Sequence, residues 1–136
     1  MTRVESQIEL SSIPDNIVQV ENYVEELREN LGIQDDVFGN ILISLTEAVN
    51  NAIIHGNQCN PDKNVVVRSV YEESRNSLIF FVEDEGSGFD PNQLPDPTSP
   101  ENLEKITGRG VFLMKQLADW VVFGKDGSSV EMRFKL

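Results

Sequence analysis

Residues 44–56 read Ser44-Leu-Thr-Glu-Ala-Val-Asn-Asn-Ala-Ile-Ile-His-Gly56, and the rest of the chain takes its place from how this segment folds. On a helical period of 3.6, Ile41, Leu45, Ala48 and Ala52 form an apolar stripe. Glu47, Asn51 and His55, spaced four apart, form a polar line roughly opposite it. One reading of that line is the solvated face of an amphipathic helix, because polar side chains are mostly exposed. Two details point elsewhere. Asn50 and Asn51 stand in succession where Glu, Lys or Gln would fit a helix at lower cost, and Ile54 interrupts the polar side as though something other than bulk water covered it. An amide carbonyl and a carboxylate on adjacent turns suit an octahedral Mg²⁺ that keeps several waters and touches phosphates. The helix alone leaves both readings open.

Working outward toward the N-terminus, a helix from Asp35 or Asp36 to His55, stopped at Gly56, is preceded by another. Its stripe is Ile17, Val20, Val24, Leu27 and Leu31, with Pro14 and Asp15 at its start, Asp15 as a cap, and Gly32 at its end. Gln7 to Ile13 alternates apolar and polar residues and predicts a half-buried strand at a sheet edge.

Toward the C-terminus, residues 57–64 form a turn-rich loop holding the lone Cys59, a loop thiol rather than a nucleophile. Two β-rich runs follow, Val65–Tyr71 and Leu78–Glu83, joined as a hairpin through residues 72–77. Pro91, Pro95, Pro97 and Pro100 break up residues 91–107, predicting a long lid-like loop with a short helical turn near 101–105. Gly108 to Ala118 is then helical, and Trp120–Phe123 and Ser129–Leu136 are two strands around a turn at Gly124–Gly127.

The order strand, helix, helix, strand, strand, lid, helix, strand, strand predicts an α+β fold: a two-layer sandwich with a mixed, largely antiparallel sheet and helices on one face. At 136 residues, residues 1–136 read as a single domain.

Composition, 39% hydrophobic and 25% charged, is that of a soluble globular protein, and the expected location is cytoplasmic. No uninterrupted apolar run approaches a membrane span, and the polar N-terminus lacks the pattern of a signal peptide. A formal charge of −12 excludes a polyanion such as DNA as a partner, since phosphate neutralisation needs clustered Lys and Arg. Any phosphate bound here is handled locally, by backbone amides, a metal and a few cations.

Two glycine sites carry the remaining chemistry. Asp84 ends a strand just ahead of Gly86 and Gly88; a carboxylate there can accept a hydrogen bond from an exocyclic amine, with glycines allowing close approach. A strand-terminating turn looks similar, whereas a calcium loop would need an alternating acidic pattern and a distal Glu that are missing. Gly108-Arg109-Gly110, read as directly preceding a helix, offers free amides for an anion, with Arg109 and Lys105 adding charge. The Gly-Lys-Ser/Thr ending of a Walker A loop is absent.

Taken together, Glu47-x-x-x-Asn51, Asp84-x-Gly86-x-Gly88 and Gly108-x-Gly110 resemble the three ATP-site boxes of the GHKL, or Bergerat-fold, ATPases, the superfamily of gyrase and sensor histidine kinases. Within it, Glu47–Gly56 and Gly108–Met114 look most like the bacterial anti-sigma-factor serine kinases. The resemblance implies a histidine-kinase-like ATPase fold with an ATP lid at about 91–107. It implies Mg²⁺ on Asn51, the adenine amine on Asp84, and a base pocket shaped by Gly86 and Gly88. Phosphates would be wrapped by Gly108 to Gly110, and Ser128 would stand near the adenine where the family often has Thr. Glu47 would be the base orienting the attacking hydroxyl, Asn50 an auxiliary contact, and His55 a structural residue at the helix end.

The function it implies is an ATP-dependent serine/threonine kinase that phosphorylates a small anti-sigma-factor antagonist and sequesters a sigma factor, with a homodimer implied by likeness only. The alternatives are a non-catalytic ATP-gated binding switch and a stand-alone ATPase module. Neither nucleic acid nor membrane is an expected partner.

Overall fold

The computed structural model describes residues 3–86, 106–124 and 128–136, without the side chains of 106–109. β1 (Arg3–Ser11), β2 (Asn64–Glu72), β3 (Ser77–Glu83), β4 (Trp120–Gly124) and β5 (Ser129–Lys135) form one sheet in the order β1-β2-β3-β5-β4. All four pairings are antiparallel. Two helices, α1 (Ile17–Leu31) and α2 (Asp35–Asn51), separate β1 from β2, so the chain reverses and returns beside its starting strand in the opposite sense. α3 (Ile106–Leu117) lies between β3 and β4. These two strands run the same way, yet β5 is inserted between them, and no parallel pair occurs among the described residues. The sheet is therefore more uniformly antiparallel than the mixed one expected from the element order.

β1 keeps its expected edge position but runs from Arg3 rather than Gln7 and stops before Ser12. Its bounds come from the ladder to β2, Arg3 opposite Glu72 through Ser11 opposite Asn64, a tertiary feature that alternation cannot register.

Rows across the sheet repeat this logic. Ile8, Val67, Val82, Val130 and Phe123 lie in one cross-strand row, and with Leu10, Val65, Leu78, Phe80, Met132 and Phe134 they make the face that packs with the helices. Phe80 and Phe134 meet edge to face at 6.0 Å, a favoured arrangement of their quadrupoles.

α1 begins after a short 3₁₀ turn, Pro14–Asn16, so Asp15 lies before the helix and makes no side-chain cap. Gly32 ends it as expected, at φ +66° with its amide on the Arg28 carbonyl, a conformation that suits glycine. Arg28 then reaches Asp35 and stacks on Phe38 at 4.4 Å, tying the two helices at their junction.

α2 is the core helix, with Ile41, Leu45, Ala48 and Val49 at 3% exposure or less. Extended through Gly56 it has 22 residues, and its most apolar 18-residue stretch has a mean hydropathy of 1.4, long and apolar enough by length and composition to cross a membrane. Ser44, Glu47 and the two asparagines break it into shorter apolar runs. Packing against the sheet accounts for much of this apolar character.

The last turn of α2, Ala52–Gly56, widens to a π turn, closed by the Asn57 amide on the Ala52 carbonyl at 2.8 Å. Beyond it Gln58 and Cys59 both take left-handed backbone, φ +53° and +56°, which costs non-glycine residues about 1 kcal/mol each. Gln58→Gly is expected to raise the unfolding midpoint in a thermal melt, by the equivalent of no more than about 0.5 kcal/mol after allowing for glycine's freer unfolded state.

Candidate functional site

Ser44, Ala48 and Asn51 follow one another at i, i+4 and i+7, which puts Asn51 on the packed side of α2. It is 5% exposed. Of the line expected through Glu47, Asn51 and His55, the first two stay on a shared side, both close to Gly110, but Asn51 is buried, and His55, beyond the start of the π turn, is exposed. The π turn changes the angular step between residues, so spacing by four no longer keeps a face.

Asn51 Nδ2 is buried without a hydrogen-bond partner, a state that costs roughly 1–3 kcal/mol. Such a group is explained when it belongs to a ligand site. Asn51 also lines a cleft together with Val82, Met114, Phe123, Val130, Asp84 and Ser128.

One end of the site is closed by α3, which begins at Ile106 rather than Gly108. Gly108 thus lies in the first helical turn, where amides still lack intrahelical acceptors, and Gly110 lies in the second. A Cβ placed on Gly110 would sit 2.8 Å from Glu47 Oε2 and 3.2 Å from Asn51 Nδ2. The missing side chain is what lets the backbone of α3 lie against the carboxylate and amide of α2.

At the other end, Asp84 follows β3. Its amide bonds to the Ser128 carbonyl at 2.9 Å, and its Oδ1 accepts the Gly86 amide at 2.8 Å. Among the described residues, no second hydrogen bond is made to the carboxylate of Asp84, which lines the cleft. Gly86 lets backbone approach closely, as expected of a glycine here, and the backbone is that of Gly56. A Cβ there would fall 1.8 Å from the Gly56 carbonyl oxygen, so the space is filled by the chain's own backbone rather than by a ligand. Gly56 has the matching constraint, since its Cβ would meet Asp84 Oδ2 at 2.3 Å. The end of the core helix and the turn after β3 therefore interlock through two glycines.

Burial pushes the Asp84 carboxyl above its ordinary value of 3.8, against smaller downward pulls from the Gly86 amide and from Lys63. The sign follows directly: the folded state holds this proton more tightly than the unfolded chain, so Asp84's contribution to stability falls as pH rises from 3.8 through the raised folded value. Asp84→Asn keeps an acceptor for the Gly86 amide and removes that loss. In urea titrations at several pH values without ligand, the stability of Asp84→Asn relative to the parent is expected to rise across this window and remain higher above it.

Glu47, Asn51, Asp84, Gly86, Gly110 and Ser128 thus frame one site. Gly88, Lys105 and residues 91–105 of the lid expected at 91–107 lie outside the described residues, as does the predicted turn at 101–105, and residues 106–107 belong to α3 instead; the backbone of Gly108 and Arg109 is helical, and Arg109's side chain is not described. Sequence reasoning missed the contact made by Gly56, taken only as a helix stop, and the burial of Asn57, taken as a loop residue. A glycine and an asparagine immediately after a helix carrying Glu and Asn were the available signal.

The residues present fit a divalent cation of the magnesium type. Among the described residues no group of three or more His, Cys, Asp and Glu side chains is set to hold a metal, but Mg²⁺ needs only one or two protein oxygens beside phosphate and water. The Asn51 side chain, whose buried amide end lacks a partner, can present its carbonyl oxygen to the cleft by a half-turn.

A family model described as histidine kinase-like ATPase domain matches residues 10–134. No curated protein matches the chain.

Proposed function

Since this chain belongs to the histidine kinase-like ATPase domain family, a family of ATP-binding modules, we propose that it binds ATP with Mg²⁺ and transfers the γ-phosphoryl group to a serine or threonine of a small anti-sigma-factor antagonist. The observation that carries this reading is the close approach of Gly110 to both Glu47 and Asn51, with Asn51 lining a cleft that Asp84 and Ser128 line as well.

In this mechanism Asp84 Oδ2 accepts the exocyclic amine of adenine while apolar side chains, Val82 and Met114 among them, cover the ring. Amides of the first turn of α3 face the phosphates, where the helix dipole favours negative charge. Asn51 would hold the Mg²⁺, which supplies charge neutralisation on the phosphate oxygens. The acceptor hydroxyl oxygen forms the new bond to the γ-phosphorus as the bond from phosphorus to the bridging oxygen breaks. ADP leaves with that electron pair, and the hydroxyl proton passes to Glu47.

A protein acceptor is favoured by the outer side of α2. Between Asp36 and His55 the only ionised side chain is Glu47, and Ile43 and Ile54 are 45% and 40% exposed. Depletion of charge around exposed apolar groups is the composition of an interface core. The exposed acidic residues of α1, Glu21, Glu25 and Glu29, suit a basic surface on a sequestered sigma factor. A cytoplasmic location and a homodimer belong to the same reading.

The test is incubation of the intact chain with γ-labelled ATP, Mg²⁺ and candidate antagonist domains. Label on an antagonist serine or threonine supports the kinase. ATP turnover without acceptor labelling indicates an ATPase module, and nucleotide-dependent partner exchange without either indicates a binding switch.

A further inference from the structure

Asn57 is 1% exposed although it sits in a loop, and every polar atom of its side chain is engaged. Nδ2 donates to Ser12 Oγ at 2.8 Å and to the Asn64 carbonyl at 3.0 Å, while Oδ1 accepts the Glu85 amide at 2.8 Å. Its own amide closes the π turn. Ser12 in turn donates to the Lys63 carbonyl at 2.8 Å. One side chain thereby joins the segment after β1, the end of the core helix, the start of β2 and the residue following Asp84.

The bond to Glu85 bears on chemistry as well as on folding. The Glu85 amide lies between Asp84 and Gly86, and the Gly86 amide already occupies Asp84 Oδ1. Without Asn57, the Glu85 amide loses its acceptor in the peptide that directly follows Asp84. A donor left without its partner seeks another, and the Asp84 carboxylate, already bonded to the adjacent Gly86 amide, is the nearest along the chain. We infer that Asn57 is the positioning residue that keeps Asp84 directed at the base, and that it thereby sets discrimination between a purine with a 6-amino group and one with a 6-oxo group. This rests on the assignment of Asp84 to the adenine amine given above.

The experiment is calorimetric titration of the intact chain with Mg-ATP and with Mg-ITP, which lacks the amine, for the parent, Asn57→Ala and Ser12→Ala, with a thermal melt of each. The parent is expected to prefer ATP by at least about tenfold, the effect of a hydrogen bond to a charged group. Asn57→Ala is expected to bring the two affinities within about threefold by weakening ATP binding, with ITP binding little changed. Ser12→Ala removes two bonds from the same network, those to Asn57 and Lys63, without touching Glu85, and should lower the melting temperature while leaving the preference intact. Should Asn57→Ala not fold, Asn57→Ser takes its place, since its hydroxyl is too short to span the Glu85 amide and the Asn64 carbonyl together. A lowered melting temperature with an unchanged ATP preference in the Asn57 variant overturns the inference while leaving the nucleotide reading standing. A parent that binds both nucleotides equally overturns the Asp84 assignment and this inference with it.

Discussion

Gly86→Ala is expected to abolish measurable ATP binding and to cost about 3 kcal/mol or more of folding stability, at the upper end of overpacking effects. The added methyl carbon would stand 1.8 Å from the Gly56 carbonyl oxygen and 3.1 Å from Asp84 Oδ1. The first of these atoms is backbone at the end of the core helix, so no rotamer change relieves the collision. Either the turn after β3 moves away from Gly56, carrying Asp84 with it, or the π turn opens. Urea denaturation and calorimetry on the same preparation separate the two: a moved turn gives a folded chain that ignores nucleotide, and an opened helix end gives the larger loss of stability. Gly110→Ala makes a useful contrast. Its nearest neighbour is the tip of the Glu47 side chain, which can swing aside, so its effect should fall on phosphoryl transfer more than on folding.

Glu47→Gln is expected to lower the rate of transfer to a protein acceptor by about 10²–10⁴-fold, the usual worth of a positioned general base, while the dissociation constant for Mg-ATP stays within about threefold. Gln preserves the length and shape that sit against Gly110 while removing the negative charge and the capacity to take a proton. Quench-flow with saturating nucleotide reads the chemical step directly. Equal losses in binding and rate would assign Glu47 to holding the nucleotide, and an unchanged rate would remove it from the reaction.

Much of the architecture was legible because it rests on local signals. The stripe from Ile41 to Ala52, the glycine stop at Gly32 and the β-branched runs at 65–71 and 78–83 each declare a period or a turn without help from the rest of the chain. What escaped depends on partners distant in sequence. β1 gained Arg3 to Ser6 from its ladder to β2, and β5 slipped between β3 and β4, an event no spacing announces.

The site divides along the same boundary. Glu47, Asn51, Asp84, Gly86 and Gly110 were singled out from residue type, spacing and family likeness, and the fold brings Glu47 and Asn51 against Gly110 and Asp84 against Gly86. The burial of Asn51 came from packing against α3, the exposure of His55 from a π turn that periodicity assumes away, and the contacts of Gly56 and Asn57 from across the fold. Gly86 was singled out for its missing side chain and for close approach of backbone, and only the identity of that backbone, Gly56, needed the structure.

The claim on which the account stands is that Asn51, Asp84 and Gly110 frame a single nucleotide site. Isothermal titration of the intact chain with ATP, with and without Mg²⁺, tests it most directly. The account predicts saturable uptake of one nucleotide per chain, strengthened by Mg²⁺, with the Mg²⁺ dependence lost in Asn51→Ala and affinity reduced at least about tenfold in Asp84→Asn. Absence of heat from a folded chain, or equal affinity in parent and both variants, would contradict it.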